Sequence, residues 1–438
     1  MSAAGGRVGA AGGSAMWAGN LKWLYAGRAA RSLATAFLTV IFPLYLAKEG
    51  MGAAEVGLIL SLSGVIGMLL VVAVGLGADL LGRRRALLAL SVLTVVGGLL
   101  LAWLPLGPLV AIIASGLGGI GRGGGAGSGG AWGPVFPAEQ PLLAAAAPKT
   151  NRTHAFGVIS FVGVIAGAVG SLVAGVPQIL VGHGVPMVVG YRILFALAAA
   201  LGVAMTALTL PIREPPVVRE AAADAPPTPI SVRQLIGRLS VTNGLNGFGI
   251  GFLGPLFTYW LYLRFGVGPA ELGVLYAIVN LAAALPYLTS SALVRRLGAV
   301  RTVVWTRLAG VAALVAMPFL PSFTLVGVAY TLRMILNSLG MPARQSFTMA
   351  VSDERYRSRV AAFGSLPSQI TSLVSPAVAG VVMESWLSFP LFGAAFFIAA
   401  NAVAYHYAFH EVAVPGEAPR PATGGEGGVS QPAGTYDV

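Results

Sequence analysis

The ionisable side chains that could do chemistry here are few and one-sided. Arg31, Arg122 and Arg333 stand well inside long apolar stretches, whereas Glu139 and Asp79 fall near stretch ends and no Asp or Glu lies near a centre. A charge at the middle of an apolar span costs roughly 2.5–3.5 kcal/mol on insertion scales, so each arginine is a functional candidate. A guanidinium pairs carboxylate or phosphate bidentately, and unpaired arginines facing a cavity would favour an anionic or zwitterionic ligand. The alternative is pairing with helix-end carbonyls or snorkelling to an interface. Asn246, Asn280, Asn337 and Gln369, with Asn243, Tyr259, Tyr276 and Tyr330, could make such an interior partly polar; taken singly, each reads as an interhelical hydrogen-bonding residue. Covalent and metal chemistry find no footing. Cysteine is absent, which removes disulfides, thiolate metal sites and thiol nucleophiles together. Of the four histidines only His406 and His410 share a helical spacing, at the expected end of the last apolar stretch, where a surface role outweighs a metal. With no Ser-His-Asp spacing and no paired acids, no cofactor, no metal and no enzymatic activity are expected.

The elements that must position these residues are membrane spans. Hydrophobic residues make up 56% of the 438, charged residues only 10%, and the mean hydropathy is +0.82; a soluble domain carries about a quarter charged residues. Apolar runs broken by Gly, Pro or charge predict twelve spans, near 21–47, 55–78, 86–105, 108–134, 155–176 and 187–211, then 236–263, 271–292, 302–320, 323–343, 361–383 and 387–409. The first fifteen residues, Gly/Ala/Ser-rich with one Arg and no apolar core, are not expected to act as a signal peptide. The net charge of +12 does not call for nucleic acid. Of the 27 Lys and Arg, only Lys48 and Arg264 fall in connections on one side, while Arg83–85, Lys149, Arg152, Arg213, Arg295, Arg296, Arg301 and others alternate onto the opposite one. By the positive-inside rule that side, with both termini and the middle loop, is cytoplasmic. The expected layout is a cytoplasmic tail (1–20), a six-helix bundle (21–211), a Pro-rich cytoplasmic linker (212–232), a second six-helix bundle (233–410) and a disordered cytoplasmic tail (411–438).

The two halves repeat. A shift of 216 lays Gly50-Met-Gly-Ala-Ala-Glu55-Val-Gly57 on Gly266-Val-Gly-Pro-Ala-Glu271-Leu-Gly273, and also Leu81, Gly82 and Arg85 on Leu297, Gly298 and Arg301. A shift of 205 lays Pro137-Ala-Glu-Gln140 on Pro342-Ala-Arg-Gln345 and Val173-Ala-Gly175 on Val378-Ala-Gly380. Six spans per half make this a parallel repeat. Glu55 and Glu271 stand at equivalent helix starts, suited to the helix dipole. Between 116 and 133 eleven of eighteen residues are Gly, which at about 1 kcal/mol each disfavours a regular helix. That fourth span is expected to be closely packed on a neighbour or broken, and without Gly-Lys-Ser/Thr it is not a phosphate loop.

Between the second and third spans, Gly75-Leu-Gly-Ala-Asp79-Leu-Leu-Gly82-Arg83-Arg84-Arg85 resembles the signature loop of the major facilitator superfamily, with Leu80 where a basic residue is usual. Pro137 to Gln140, Pro148, Arg152 and Phe156-Gly157 resemble the end of the fourth span and its loop, so the resemblance covers Trp23 to His410. It implies an all-α membrane protein of twelve transmembrane helices in two pseudo-symmetric six-helix bundles. By the same resemblance Gly75, Asp79, Gly82, Arg83, Arg84 and Arg85 would form a conformational lock at the cytoplasmic seam. The fifth span lacks the proline of the drug/proton antiporter motif, and Ala145 stands where many relatives have an acid, leaving Glu139 as a partner for Arg83 or Arg84 and as the candidate coupling residue. The pattern resembles prokaryotic, drug-exporter-like members of unassigned substrate.

The expected activity is secondary transport of a small-molecule substrate by alternating access across a prokaryotic cell membrane. Export of amphipathic, drug-like compounds is the first reading and carriage of an organic anion by Arg31, Arg122 and Arg333 the second; proton coupling is left open. Asn246, Asn280, Asn337 and Gln369 complete the candidate binding set. The lipid bilayer and the solute are the expected partners, with no nucleic acid and a monomeric state. A non-transporting sensor or scaffold is the rival of another class, and would lack a central cavity.

Overall fold

A computed structural model describes residues 19–120, 134–147, 152–214, 231–351, 357–410 and 412. Among them every regular element is a helix: α1 (Asn20–Lys48), α2 (Ala53–Leu81), α3 (Arg83–Trp103), α4 (Pro108–Gly118), α5 (Phe136–Ala146), α6 (Arg152–Val173), α7 (Val176–Val181) and α8 (Met187–Thr209), then α9 (Val232–Phe265), α10 (Pro269–Leu297), α11 (Ala299–Ala316), a 3₁₀ turn (Met317–Phe319), α12 (Phe323–Val351), α13 (Arg357–Ser385) and α14 (Phe389–Phe409). Nine helical segments among the described residues are long and apolar enough to cross a membrane, and two shorter apolar helices, Pro108–Gly118 and Pro269–Ala284, accompany them. A bilayer core of about 30 Å takes roughly 20 helical residues, which these lengths supply. Their outer faces are apolar too: Leu109, Trp305, Phe319, Val328 and Phe396 stand exposed, Phe319 by 74%. Large exposed apolar side chains on every flank are what a lipid-facing surface requires.

The repeat read from sequence is a repeat of structure. In the first half α1 packs on α6 and α8, α3 on α4 and α8, and α2 on α4; in the second, α9 packs on α13 and α14, α11 on α12 and α14, and α10 on α12. The turns repeat as well. Gly50 and Gly266 adopt φ of 86° and 66°, and Gly82 and Gly298 adopt 96° and 79°, a left-handed backbone that side chains with a Cβ rarely tolerate. Glu55 and Glu271 cap their helices as expected, accepting from the backbone N–H of Gly52 (3.2 Å) and Gly268 (3.0 Å).

The fourth span is broken. Gly119, in the left-handed conformation (φ 65°), ends α4 and donates its N–H to the Ser115 carbonyl, a C-terminal stop of the usual glycine type. The chain becomes helical again at α5; residues 121–133, with most of the glycine run, lie outside the described residues. Close packing accompanies the break, because Gly97 of α3 lies so near Ala114 and Gly118 that a Cβ would have no room.

Candidate functional site

The first bundle buries an ion triad where α5 begins. Arg28 and Arg31 stand three residues apart on α1 and so share a face. Both reach across to Glu139 in the first turn of α5: Arg28 Nη1 donates to Oε2 at 2.8 Å and Arg31 Nη2 to the same oxygen at 2.7 Å. Pro137 suits the start of this helix, and the positive end of the helix dipole favours a carboxylate there. Side-chain exposure is 3% for Arg28 and Glu139 and 12% for Arg31. Glu139 therefore pairs with α1, correcting the expectation that it would partner Arg83 or Arg84. A cavity of about 40 Å³ opens beside the triad, lined by Arg31, Glu139, Ser91, Thr94 and Thr209 with Trp23, Leu87 and other apolar groups. It has room for a few waters, against the roughly 300 Å³ or more of a ligand pocket.

The second constellation is the seam between the bundles, made by α2 against α13 and α6 against α10. It is built of backbone-deep crossings at the end carrying Lys48 and Arg264. A Cβ on Gly57 would run into the Pro376 carbonyl and sit 3.1 Å from the Gly380 Cα; a Cβ on Gly273 would run into the Ser171 carbonyl. The shifts that align the halves, 216 and 205, carry Gly57 to Gly273 and Ser171 to Pro376, so the two crossings are one contact made twice. Each is clamped by a side chain from the opposite half at a helix start. Glu384 Oε1 accepts from the Ala54 N–H at 3.2 Å, and Gln178 Oε1 accepts from the Ala270 N–H at 3.1 Å. Further along, the Ala377 N–H donates to Ser61 Oγ (2.9 Å), the Tyr259 hydroxyl to the Met51 carbonyl (3.1 Å) and Asn280 Nδ2 to Ser171 Oγ (3.3 Å). Small residues every fourth position let helices approach this closely in lipid, where dispersion and hydrogen bonds replace the hydrophobic effect.

The candidate residues from the sequence separate on this frame. Arg31 is in the triad with Glu139. Asn280 is in the seam, buried. Arg333 lies 6.0 Å from the Tyr330 ring and donates to Met334 Sδ, with Tyr330 stacked on Phe257 at 4.2 Å. Asn246 and Gln369 are half-buried on α9 and α13, and Asn337 is exposed on α12. Arg122 lies outside the described residues. In the loop motif Gly82 makes the turn, the Arg83 and Arg84 N–H groups donate to Glu214 (2.6 and 3.4 Å), and Arg84 Nη2 donates to the Leu210 carbonyl (2.5 Å). The side chains of Gly75 to Leu81, Asp79 included, lie outside the described set. Sequence reasoning missed Arg28, Glu214, Gln178 and Glu384. Arg28 alone carried a usable signal, its three-residue spacing from Arg31.

A polytopic helical membrane protein built from two like bundles, clamped together at one end, is the class this architecture defines. The sequence model of the Major Facilitator Superfamily matches residues 24–242 and again 239–432, and the chain belongs to that superfamily. Among solved structures it is similar to a bacterial homologue of the human lysosomal transporter Spinster, inward-facing and occupied (TM-score 0.66, 16% identity, covering 89% of this chain and 96% of that one). It is also similar to the xylose transporter XylE from E. coli in its inward-open conformation (0.68, 13%, 91% and 97%) and to an auto-inhibited POT-family peptide transporter (0.68, 14%, 92% and 99%). At these identities the likeness is one of fold. No curated protein matches.

Proposed function

We propose that the protein is a secondary carrier that exports small amphipathic, drug-like solutes by alternating access. The observation carrying this reading is the seam: among the described residues the inter-bundle clamps gather at the Lys48 end, and the same contact is made twice about a pseudo-twofold axis. Two rigid bundles joined through such a crossing can rock, opening one end as the other closes. In this reading the chain crosses the cell membrane of a prokaryote twelve times as a monomer, in bundles spanning 21–211 and 233–410. The basic end and both termini face the cytoplasm, and the state described is open inward. Asp79 and Arg83–85, with Gly75 and Gly82, lock that end in the alternate state, and Glu139 is the coupling residue.

The solute class follows from how the arginines are used. Arg31 is paired with Glu139, which it shares with Arg28, and the residues beside Arg333 are aromatic or thioether, so part of the positive field expected from the sequence is already engaged. An interior rich in Tyr, Phe and Trp suits an amphipathic ligand. Arg333, half-buried beside an aromatic stack, favours a second reading as an organic-anion carrier. A thermal-shift screen of the purified chain against matched cationic, neutral and anionic solutes, with Arg333→Gln and Arg122→Gln alongside, decides between them. Stabilisation by lipophilic cations or neutral amphiphiles, unchanged in both variants, is expected; stabilisation by anions alone, lost in a variant, would refute the export reading.

A further inference from the structure

We propose that the cavity beside the ion triad is a water site belonging to the first bundle alone, through which Glu139 meets the basic end by a route separate from the solute's path between the bundles. Its walls come from α1 (Arg31), α3 (Ser91, Thr94), α5 (Glu139) and α8 (Met205, Thr209). The helices that carry the first bundle's side of the seam, α2 and α6, contribute none of the lining, and neither does the second bundle.

The occupant follows from the hydrogen atoms already spent. Ser91 Oγ donates to the Leu87 carbonyl (2.9 Å), Thr94 Oγ1 to the Leu90 carbonyl (3.0 Å) and Thr209 Oγ1 to the Met205 carbonyl (2.7 Å). Each hydroxyl oxygen can therefore only accept from the cavity. Both arginine bonds end on Glu139 Oε2, and among the described residues Oε1 has no partner. On the donor side, Arg31 Nε is buried without one. An anion would meet oxygens that offer it only lone pairs. A metal cation would meet a triad of two arginines and one carboxylate, net positive. Water both donates and accepts, and about 40 Å³ holds on the order of two or three molecules.

Stitches at the basic end fix the route to one bundle. Asn20 Nδ2 at the start of α1 donates to the Arg213 carbonyl beyond α8 (2.7 Å), and the Arg213 N–H returns to Asn20 Oδ1 (3.0 Å). Arg84 ties α3 to the Leu210 carbonyl. Deeper in, α3 and α8 meet backbone to backbone, since a Cβ on Gly98 would lie 2.8 Å from the Ala199 nitrogen. Walls joined at both levels move as one body when the bundles rock, so the site keeps its water whichever end of the carrier is open. Trp23, which also lines the cavity, carries the Lys22 ammonium 5.0 Å from its ring and marks the side toward the basic end. The consequence for transport rests on the reading of Glu139 as the coupling residue: a hydronium in the site passes its proton to Oε1 and is left as water, while Oε2 keeps both arginine bonds.

The test is oxidation of the full chain in nanodiscs, read as methionine sulfoxide by peptide mass spectrometry. Hydrogen peroxide, little larger than water, is compared with tert-butyl hydroperoxide, which is too large for the cavity. Met205 lies on the wall, and Met187 stands half-buried at the start of the same helix. The preference for peroxide over the bulky reagent should be about tenfold greater at Met205 than at Met187. Thr94→Leu, which fills the cavity, should cancel that preference, and Gly57→Val at the seam should leave it unchanged. A Met205 that resists both reagents, or takes both in the proportion seen at Met187, would overturn the water site, and this comparison decides even where Thr94→Leu does not fold. A Met205 rate that changes in Gly57→Val would overturn the separate route. None of these rates depends on whether Glu139 couples transport, so failure of that reading shows itself separately, as transport that survives Glu139→Gln while the oxidation pattern stands.

Discussion

Replacing Glu139 with Gln removes one charge and strands two. Its Oε2 accepts from Arg28 at 2.8 Å and Arg31 at 2.7 Å, and neither guanidinium has another described carboxylate to turn to. A charge-assisted hydrogen bond contributes about 1.5–3 kcal/mol, and breaking one side of a buried pair costs about 3–5 kcal/mol because the remaining charge stays uncompensated. The cost should be unequal between the two arginines. Arg28 is 3% exposed and cannot recover hydration, whereas Arg31, at 12% and on the cavity wall, can take up water. We therefore expect Glu139→Gln to destabilise the first bundle by about 4 kcal/mol. Adding Arg28→Gln should restore roughly half of that, and adding Arg31→Gln about 1 kcal/mol or less, as for an exposed pair. Reversible unfolding of these three variants and of Arg28→Gln and Arg31→Gln alone in mixed micelles, closed as two double-mutant cycles against wild type, measures the coupling directly. Equal rescue by both arginine substitutions, or a Glu139→Gln loss under 1 kcal/mol, would refute the inference that a single desolvated carboxylate holds the triad together.

Two further outcomes follow from the seam and the loop. Gly57→Val or Gly273→Val places side-chain atoms where the Pro376 or Ser171 carbonyl now lies, so either should hold the Lys48 end apart and shift the population toward the opposite state. The chain has no native cysteine, so spin-label pairs introduced across that end report the distance without background, and an unchanged distribution would count against the rocking seam. Glu214→Ala should cost about 1 kcal/mol, the usual worth of a helix N-terminal cap, and speed amide exchange at Arg83 and Arg84, leaving α8 unaffected.

The fold was legible because its signals are long. Spans of about twenty apolar residues, a one-sided Lys/Arg pattern and a repeat carried by Gly50/Gly266 and Gly82/Gly298 each draw on many positions, and the left-handed φ at those four glycines is the physical reason the repeat survives in letters. The site was legible only in part. Glu139 and Arg31 were singled out separately, but nothing in spacing ties residue 31 to residue 139; that contact depends on how α5 restarts after the break at Gly119. Gln178 and Glu384 are single polar residues in otherwise apolar stretches, and only the opposite half brought against them makes them clamps.

The pseudo-symmetry ties these points together. A duplicated scaffold keeps what geometry demands at both copies: the left-handed turns, the glycine crossings and the side chain that caps the opposite helix. It is free to change what chemistry uses. At the clamps the change is small, Gln178 in one copy and Glu384 in the other, and both accept the same backbone N–H. At the ends of the fourth and tenth spans it is complete, since Glu139 in the first copy answers to Arg344 in the second. A rigid frame that repeats while its buried charge inverts leaves the two halves mechanically alike and electrostatically unlike. In the proposed carrier, rocking uses the likeness, and solute recognition uses the difference.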